Sequence, residues 1–143
     1  FYNDVRKIDP ANLCYIGVRD VDPAERLLMK EAGVRVYTMS DIDRLGISQT
    51  IREITAFFKE RVDTLHVSFD IDSIDPRFAP GVGIQVPGGM TYREVLFVME
   101  EIGRTGLVTS ADMVEVNPVQ DMQNMTAKMA VSLIGRLLGE KIY

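Results

Sequence analysis

The sequence predicts an α/β fold in which a mainly parallel β-sheet lies between helical layers, a three-layer α-β-α arrangement. Three observations predict it. Short apolar runs with strand character alternate along the chain with stretches of helical apolar spacing. Several of these runs are continuous rather than alternating, as expected of parallel strands covered on both faces. The length, 143 residues, suffices for one domain with a real core.

Taken in order, residues 1–11 end in the turn signal Asp9-Pro10-Ala11. Leu13 to Val18 is the first apolar run and predicts a strand. Pro23, preceded by Asp22 as N-cap, opens a helix to about Ala32 that carries Leu27, Leu28 and Ala32 and stops at Gly33. Val34 to Tyr37 is a second strand. Ser40 to Leu45 is a short capped helix ending at Gly46. A longer helix follows from about Ser48 to Val62, with Ile47, Ile51, Ile54, Phe57 and Phe58 at helical spacing. Leu65 to Phe69 is a strand that delivers Asp70 and Asp72. Residues 73–90 form a long Gly/Pro-rich loop, a length that is more often functional than accidental. Thr91-Tyr92-Arg93-Glu94 matches a capping box and opens an amphipathic helix to Ile102. Leu107 to Val114 is the last strand, and a final helix runs from about Asn124 to Leu138.

Composition removes several function classes. Hydrophobic residues at 46% and charged residues at 26% suit an ordinary globular protein. A net charge of −5 and no Lys/Arg cluster argue against nucleic-acid binding. No apolar run reaches membrane-spanning length. The single cysteine, Cys14, lies in an apolar run and predicts a small buried thiol in a reducing compartment, hence a cytoplasmic protein. Phe1, Tyr2 and Asn3 carry no signal-peptide character, and the chain begins like the middle of something longer.

The candidate chemistry is acidic. In an extended strand Asp70 and Asp72 share one face. Two carboxylates at a strand end repel and lose hydration, so a cation between them is the simplest remedy, and all-oxygen donors favour manganese or magnesium. The bland alternative is a strand end with two capping carboxylates. His66 shares the face of Asp70 but sits about 13 Å back along the strand, which suits a supporting or core role better than ligation. Asp20 with Asp22 and Glu115 stand at two further strand ends, where α/β sheets bind ligands. Asp22 and Glu25 also fit a plain helix N-terminus. Glu115 is a natural acceptor for a guanidinium, from a ligand or from Arg19 of this chain.

Four segments in order carry a resemblance: 15–25, Tyr15 through Glu25; Ser68-Phe69-Asp70-Ile71-Asp72 with Asp75-Pro76; Gly88-Gly89-Met90-Thr91-Tyr92-Arg93-Glu94; and Glu115-Val116-Asn117-Pro118. Together they resemble the carboxyl-terminal half of the arginases, manganese-dependent ureohydrolases, over nearly the whole chain. The resemblance implies an arginase-like fold, with residues 1–143 the carboxyl-terminal part of one domain. It implies hydrolysis of L-arginine to L-ornithine and urea by a hydroxide bridging two Mn2+ ions. Asp70 matches the bridging aspartate, and Asp72 a ligand of one ion. Asp22 and Glu25 match residues holding the substrate ammonium, and Glu115 the catalytic, substrate-binding glutamate facing the guanidinium. The remaining metal ligands would come from an amino-terminal half, and the assembly would be a trimer or hexamer. The family usually reads Gly-Thr-Pro where this chain has Gly83-Ile84-Gln85, and the Ile84 side chain offers no hydrogen bond. A non-catalytic arginase-like protein with a binding or assembly role is the alternative.

Overall fold

The computed structural model describes residues 7–141, so the reading of Phe1, Tyr2 and Asn3 concerns residues outside that range. A 3-10 turn at Pro10–Asn12, capped by the Asp9 carboxylate, leads into β1 (Cys14–Val18). Then follow α1 (Pro23–Glu31), β2 (Arg35–Thr38), α2 (Met39–Leu45), α3 (Ile47–Lys59), β3 (Leu65–Asp70), α4 (Tyr92–Gly103), β4 (Val108–Val114) and α5 (Met125–Leu137). The alternation of strand and helix is as expected, and boundaries differ by a few residues at most. The largest difference is the end of α3, which stops at Lys59 rather than Val62.

Local chemistry explains the helix ends. Thr38 caps α2, its hydroxyl accepting from Asp41 N–H at 3.2 Å while Asp41 accepts from Thr38 N–H at 2.9 Å. Thr91 and Glu94 form the same reciprocal box at α4. The Asp121 carboxylate accepts from the backbone N–H groups of Met122, Thr126 and Ala127 and so holds the start of α5. Burial alone would raise the Asp121 pKa, yet those hydrogen bonds outweigh it and the net shift is downward.

Both strand pairs are parallel, β1 with β2 and β3 with β4. The expectation of one sheet is modified: among the described residues the strands form two separate two-stranded ladders. Near the carboxyl end of β1, side chains make the connection to the segment that follows β3. Gly17, at φ 80°, lies so close to Met90 that a Cβ there would stand 2.8 Å from Met90 Cε.

The core has two apolar clusters, bridged by α4. Phe69, Ile71, Ile74, Met90, Val95, Met99 and Leu133 belong to one; Tyr37, Ile51, Ile54, Phe58 and Val98 belong to the other. Val67, Phe69 and Met113 turn one face of the β3/β4 pair toward the first cluster. The opposite face, with His66, Ser68, Ser110 and Asp112, is exposed. β3 and β4 are therefore not the strands covered on both faces that their apolar runs predict, because no described element packs on that second face. α1 likewise buries none of its residues, and Leu27 and Leu28 lie in the open. Cys14 is half-buried rather than buried, and loss of solvent raises its thiol pKa to about 11, which keeps it protonated and unreactive.

Candidate functional site

The site begins where β3 runs out. Asp70 is the last strand residue, and Ile71–Ser73 is a 3-10 turn. The period-two argument for Asp70 and Asp72 therefore stops applying at Asp70. The turn, not the pleat, keeps the two carboxylates neighbours. Asp70 Oδ1 accepts the backbone N–H of Asp72 at 3.0 Å, and the Ile71 side chain is fully buried beneath.

Electrostatics draws Glu115 into the same cluster. Burial raises the Asp70 pKa above the ordinary carboxylate value, and the negative charges of Asp72 and Glu115 push the same way against the stabilising Asp72 N–H bond. Glu115 follows Val114, which pairs with Asp70 across the β3/β4 ladder. Its backbone is left-handed at φ 66°, an unusual conformation for a non-glycine residue and one that concentrates at functional positions. Glu115 is exposed. A Cβ built on Gly83 would stand 3.5 Å from Glu115 Oε2, and Asn117 N–H donates to Gly81 C=O at 2.7 Å. The 73–90 loop thus forms a wall beside Glu115, with Ile84 73% exposed at its rim.

That loop is an ordered scaffold. Asp75 N–H donates to Met90 C=O at 2.9 Å and Met90 N–H to Ser73 C=O at 3.0 Å, so the two limbs close on each other. The Asp75 carboxylate, only 2% exposed, accepts from Arg77 N–H (3.0 Å), Arg77 Nε (2.7 Å) and Gly88 N–H (2.8 Å). The Arg77 hydrogen bond dominates, and the Asp75 pKa falls to about 2. A depressed carboxylate contributes stability above its unfolded value and loses it as pH falls through the folded one. Asp75→Asn is therefore expected to cost about 1–2 kcal/mol near neutral pH, a modest figure because Arg77 is mostly in solvent. Urea midpoints for the two proteins should converge as pH drops from about 4 toward about 2; a gap unchanged over that window would deny Asp75 the role.

Arg19 was foreseen only as a partner for Glu115, and the structure gives it other work. Its Nη2 donates to Asp72 C=O at 2.6 Å and to Val86 C=O at 2.7 Å, and Nε donates to Val86 C=O at 3.0 Å. No ion pair joins it to Glu115 among the described residues. No local pattern marks such a contact in sequence, because its acceptors are backbone carbonyls 53 and 67 residues away.

Asp22 and Glu25 sit at the start of α1, both exposed, and Glu25 reaches back to accept the Asp22 N–H at 3.2 Å. Their helix-capping reading is thus realised, and both carboxylates still face solvent. Asp20 is also exposed. His66 is neither a core residue nor beside Asp70's turn. It lies on the open face of the β3/β4 pair, with Nδ1 2.8 Å from Ser110 Oγ and Nε2 3.0 Å from Asp112 Oδ2. Ser68 Oγ donates to the other Asp112 oxygen at 2.7 Å, and together these hold the Asp112 pKa down. Among the described residues no group of three or more His, Cys, Asp or Glu side chains is placed to hold a metal ion. What the chain presents is an acidic pair with a glutamate in electrostatic reach, beside a pinned loop.

Comparison with known proteins supplies the context for that arrangement. The sequence profile described as the Arginase family matches residues 2–139. The chain belongs to the arginase family. It is 47% identical to the arginase of Bacillus caldovelox over 136 residues, which are 95% of this chain and 46% of that protein. It is 48% identical to the arginase of Bacillus subtilis over 136 residues, again 95% of this chain and 46% of the other. The native structure of the Bacillus caldovelox arginase superposes with a TM-score of 0.93 at 46% identity, covering 95% of this chain and 46% of that one. The three-layer α/β arginase fold is thereby established for the chain, which spans about half the length of the relatives it matches.

Proposed function

We propose that this chain is the carboxyl-terminal part of a single arginase-like domain and supplies part of a two-manganese site for hydrolysing L-arginine to L-ornithine and urea. The observation that carries the reading is the convergence of Asp70, Asp72 and Glu115. Burial and mutual repulsion raise the Asp70 pKa, so a cation beside it would relieve a real electrostatic cost. The oxygen donors suit a hard ion such as manganese. Asp70 and Asp72 would hold the metal, and the remaining ligands would come from the amino-terminal part of the same protein. When bound, manganese acidifies water and so supplies a nucleophile at neutral pH.

The chain's own groups do the rest. Glu115 accepts hydrogen bonds from the substrate guanidinium and fixes the orientation of its planar carbon; carboxylate and guanidinium match as paired forks. Asp22 and Glu25, free toward solvent at the start of α1, receive the α-ammonium group, which selects an amino acid over a simple guanidine. The wall of residues 81–85 stands against one side of Glu115. A cytoplasmic, homo-oligomeric enzyme completes the proposal. Among the described residues no helix is long and apolar enough to cross a membrane.

The direct test is urea release from L-arginine by the full-length protein with added manganese. Release that depends on manganese is expected, and neither urea nor metal uptake at saturating substrate would refute the reading. In the same assay Glu115→Gln should raise KM and lower kcat/KM by about 100-fold, the scale of losing a charge-assisted pair. Metal content should stay at the wild-type level; loss of both together would make Glu115 structural. The non-catalytic reading has one observation in its favour, the apolar, exposed Ile84, and predicts manganese uptake or oligomer formation without urea.

A further inference from the structure

The carboxyl ends of β1 and β3 carry different halves of the proposed site. Beyond β1 lie Asp22 and Glu25; β3 ends on Asp70, with Asp72 in the turn after it. Among the described residues β1 and β3 share no ladder, and Arg19 links their carboxyl ends directly. It directly follows Val18, the last residue of β1, and its guanidinium reaches both the turn after β3, through Asp72 C=O, and the far limb of the loop, through Val86 C=O. Two acceptors from different segments occupy one planar, half-buried fork, which leaves it little freedom to tilt or slide. The close Gly17–Met90 contact and the packing of Ile16 on the cluster of Phe69 and Ile71 are further links, and they are apolar; the first is yielding, because the flexible tip of a methionine side chain forms it.

We propose that Arg19 is a positioning residue that sets the span between the ammonium-binding and guanidinium-binding ends of the site, and thereby the chain length of guanidino substrate that is accepted. This rests on the reading of Asp22 and Glu25 as the ammonium side and of Asp70, Asp72 and Glu115 as the reacting side. Arg19 touches neither substrate nor metal. It acts through the backbone of Asp72 and the loop. A misplacement of about 1 Å at a reacting centre costs on the order of 100-fold in rate, while one added methylene lengthens a substrate by a comparable distance. A slackened span should therefore penalise the matched substrate more than a longer one.

The test compares L-arginine with L-homoarginine, one methylene longer, in the full-length manganese-loaded protein. Arg19→Lys keeps the charge but loses the fork, and Arg19→Gln keeps a single donor group. For either variant kcat/KM on L-arginine should fall about 100-fold, and the preference for L-arginine over L-homoarginine should narrow at least about tenfold. In the metal-free protein, hydrogen exchange at Gly88 and Met90 should quicken in both variants, a readout independent of turnover. An active wild type with an unchanged substrate preference in the variants overturns the role of Arg19 alone. A wild type silent on both substrates overturns the functional reading itself. Failure of both variants to fold, seen as loss of a cooperative thermal transition, overturns the spacing role in favour of a purely structural strut.

Discussion

Asp70→Asn in the full-length protein is expected to abolish stable manganese binding and, with it, manganese-dependent urea release. The substitution is nearly isosteric and leaves Oδ1 able to accept the Asp72 N–H that it accepts at 3.0 Å. What it removes is charge, at the position where burial and the neighbouring Asp72 and Glu115 charges already hold the carboxyl pKa up. Without metal that change should be neutral or stabilising, because an ionised group in a repulsive setting has been taken away. With metal it should cost more than about 100-fold in affinity, since groups that merely support ligands are worth about 10–100-fold. The opposite signs make the experiment informative. Metal analysis after gel filtration and a thermal melt of the metal-free protein would read both. Two ions retained at unchanged affinity would remove Asp70 from the metal site. A metal-free melt that falls sharply would show the carboxylate to be a structural cap.

How far the sequence led depends on the range of each interaction. Helix starts were legible because a cap is local: Thr91 and Glu94 are three residues apart, and the box they predict is present. Thr38 and Asp41 form the same kind of box, one residue pair that the expected start at Ser40 overlooked. The acidic character of the strand ends was legible for the same reason, since β3 ends on Asp70 and β4 ends next to Glu115. Three things were not legible. The turn at Ile71–Ser73 follows a residue whose own side chain caps it, and that event breaks the strand pattern without any glycine or proline. The left-handed backbone of Glu115 has no signal in a residue type that seldom adopts it. The work of Arg19 depends on carbonyl groups, which every residue has. The distance of His66 back along the strand from Asp70 suited it to a supporting or core role, yet one face of that strand is open and His66 lies on it. Apolar periodicity reports which face is apolar. It says nothing of which elements are present to cover the other.

Gly89→Ala is expected to be the most damaging small substitution in the loop, and the reason is main-chain contact. A Cβ at position 89 would stand 2.6 Å from Asp75 N, 2.7 Å from Ile74 C and 2.7 Å from Ser73 O. None of these is the tip of a flexible side chain. All belong to the backbone that follows Asp72, and that backbone is tied to Met90 by hydrogen bonds in both directions. The strain can be relieved only by moving residues 73–75 away, which breaks those bonds and shifts the turn carrying Asp72. A stability loss of about 3 kcal/mol is expected, the upper range for overpacking, together with weakened manganese affinity. Gly88→Ala supplies the comparison. Gly88 has nothing within 4 Å of the Cβ position but sits at φ 81°, so its cost is the left-handed penalty alone, about 1–2 kcal/mol. The predicted order is therefore Gly89→Ala worse than Gly88→Ala in urea midpoint, and only the former lowering metal affinity. The reversed order would mean that the limbs of the loop are not pinned together. It would also take away the connection between loop and acidic turn through which Val86, held by Arg19, and Asp72 are kept in register.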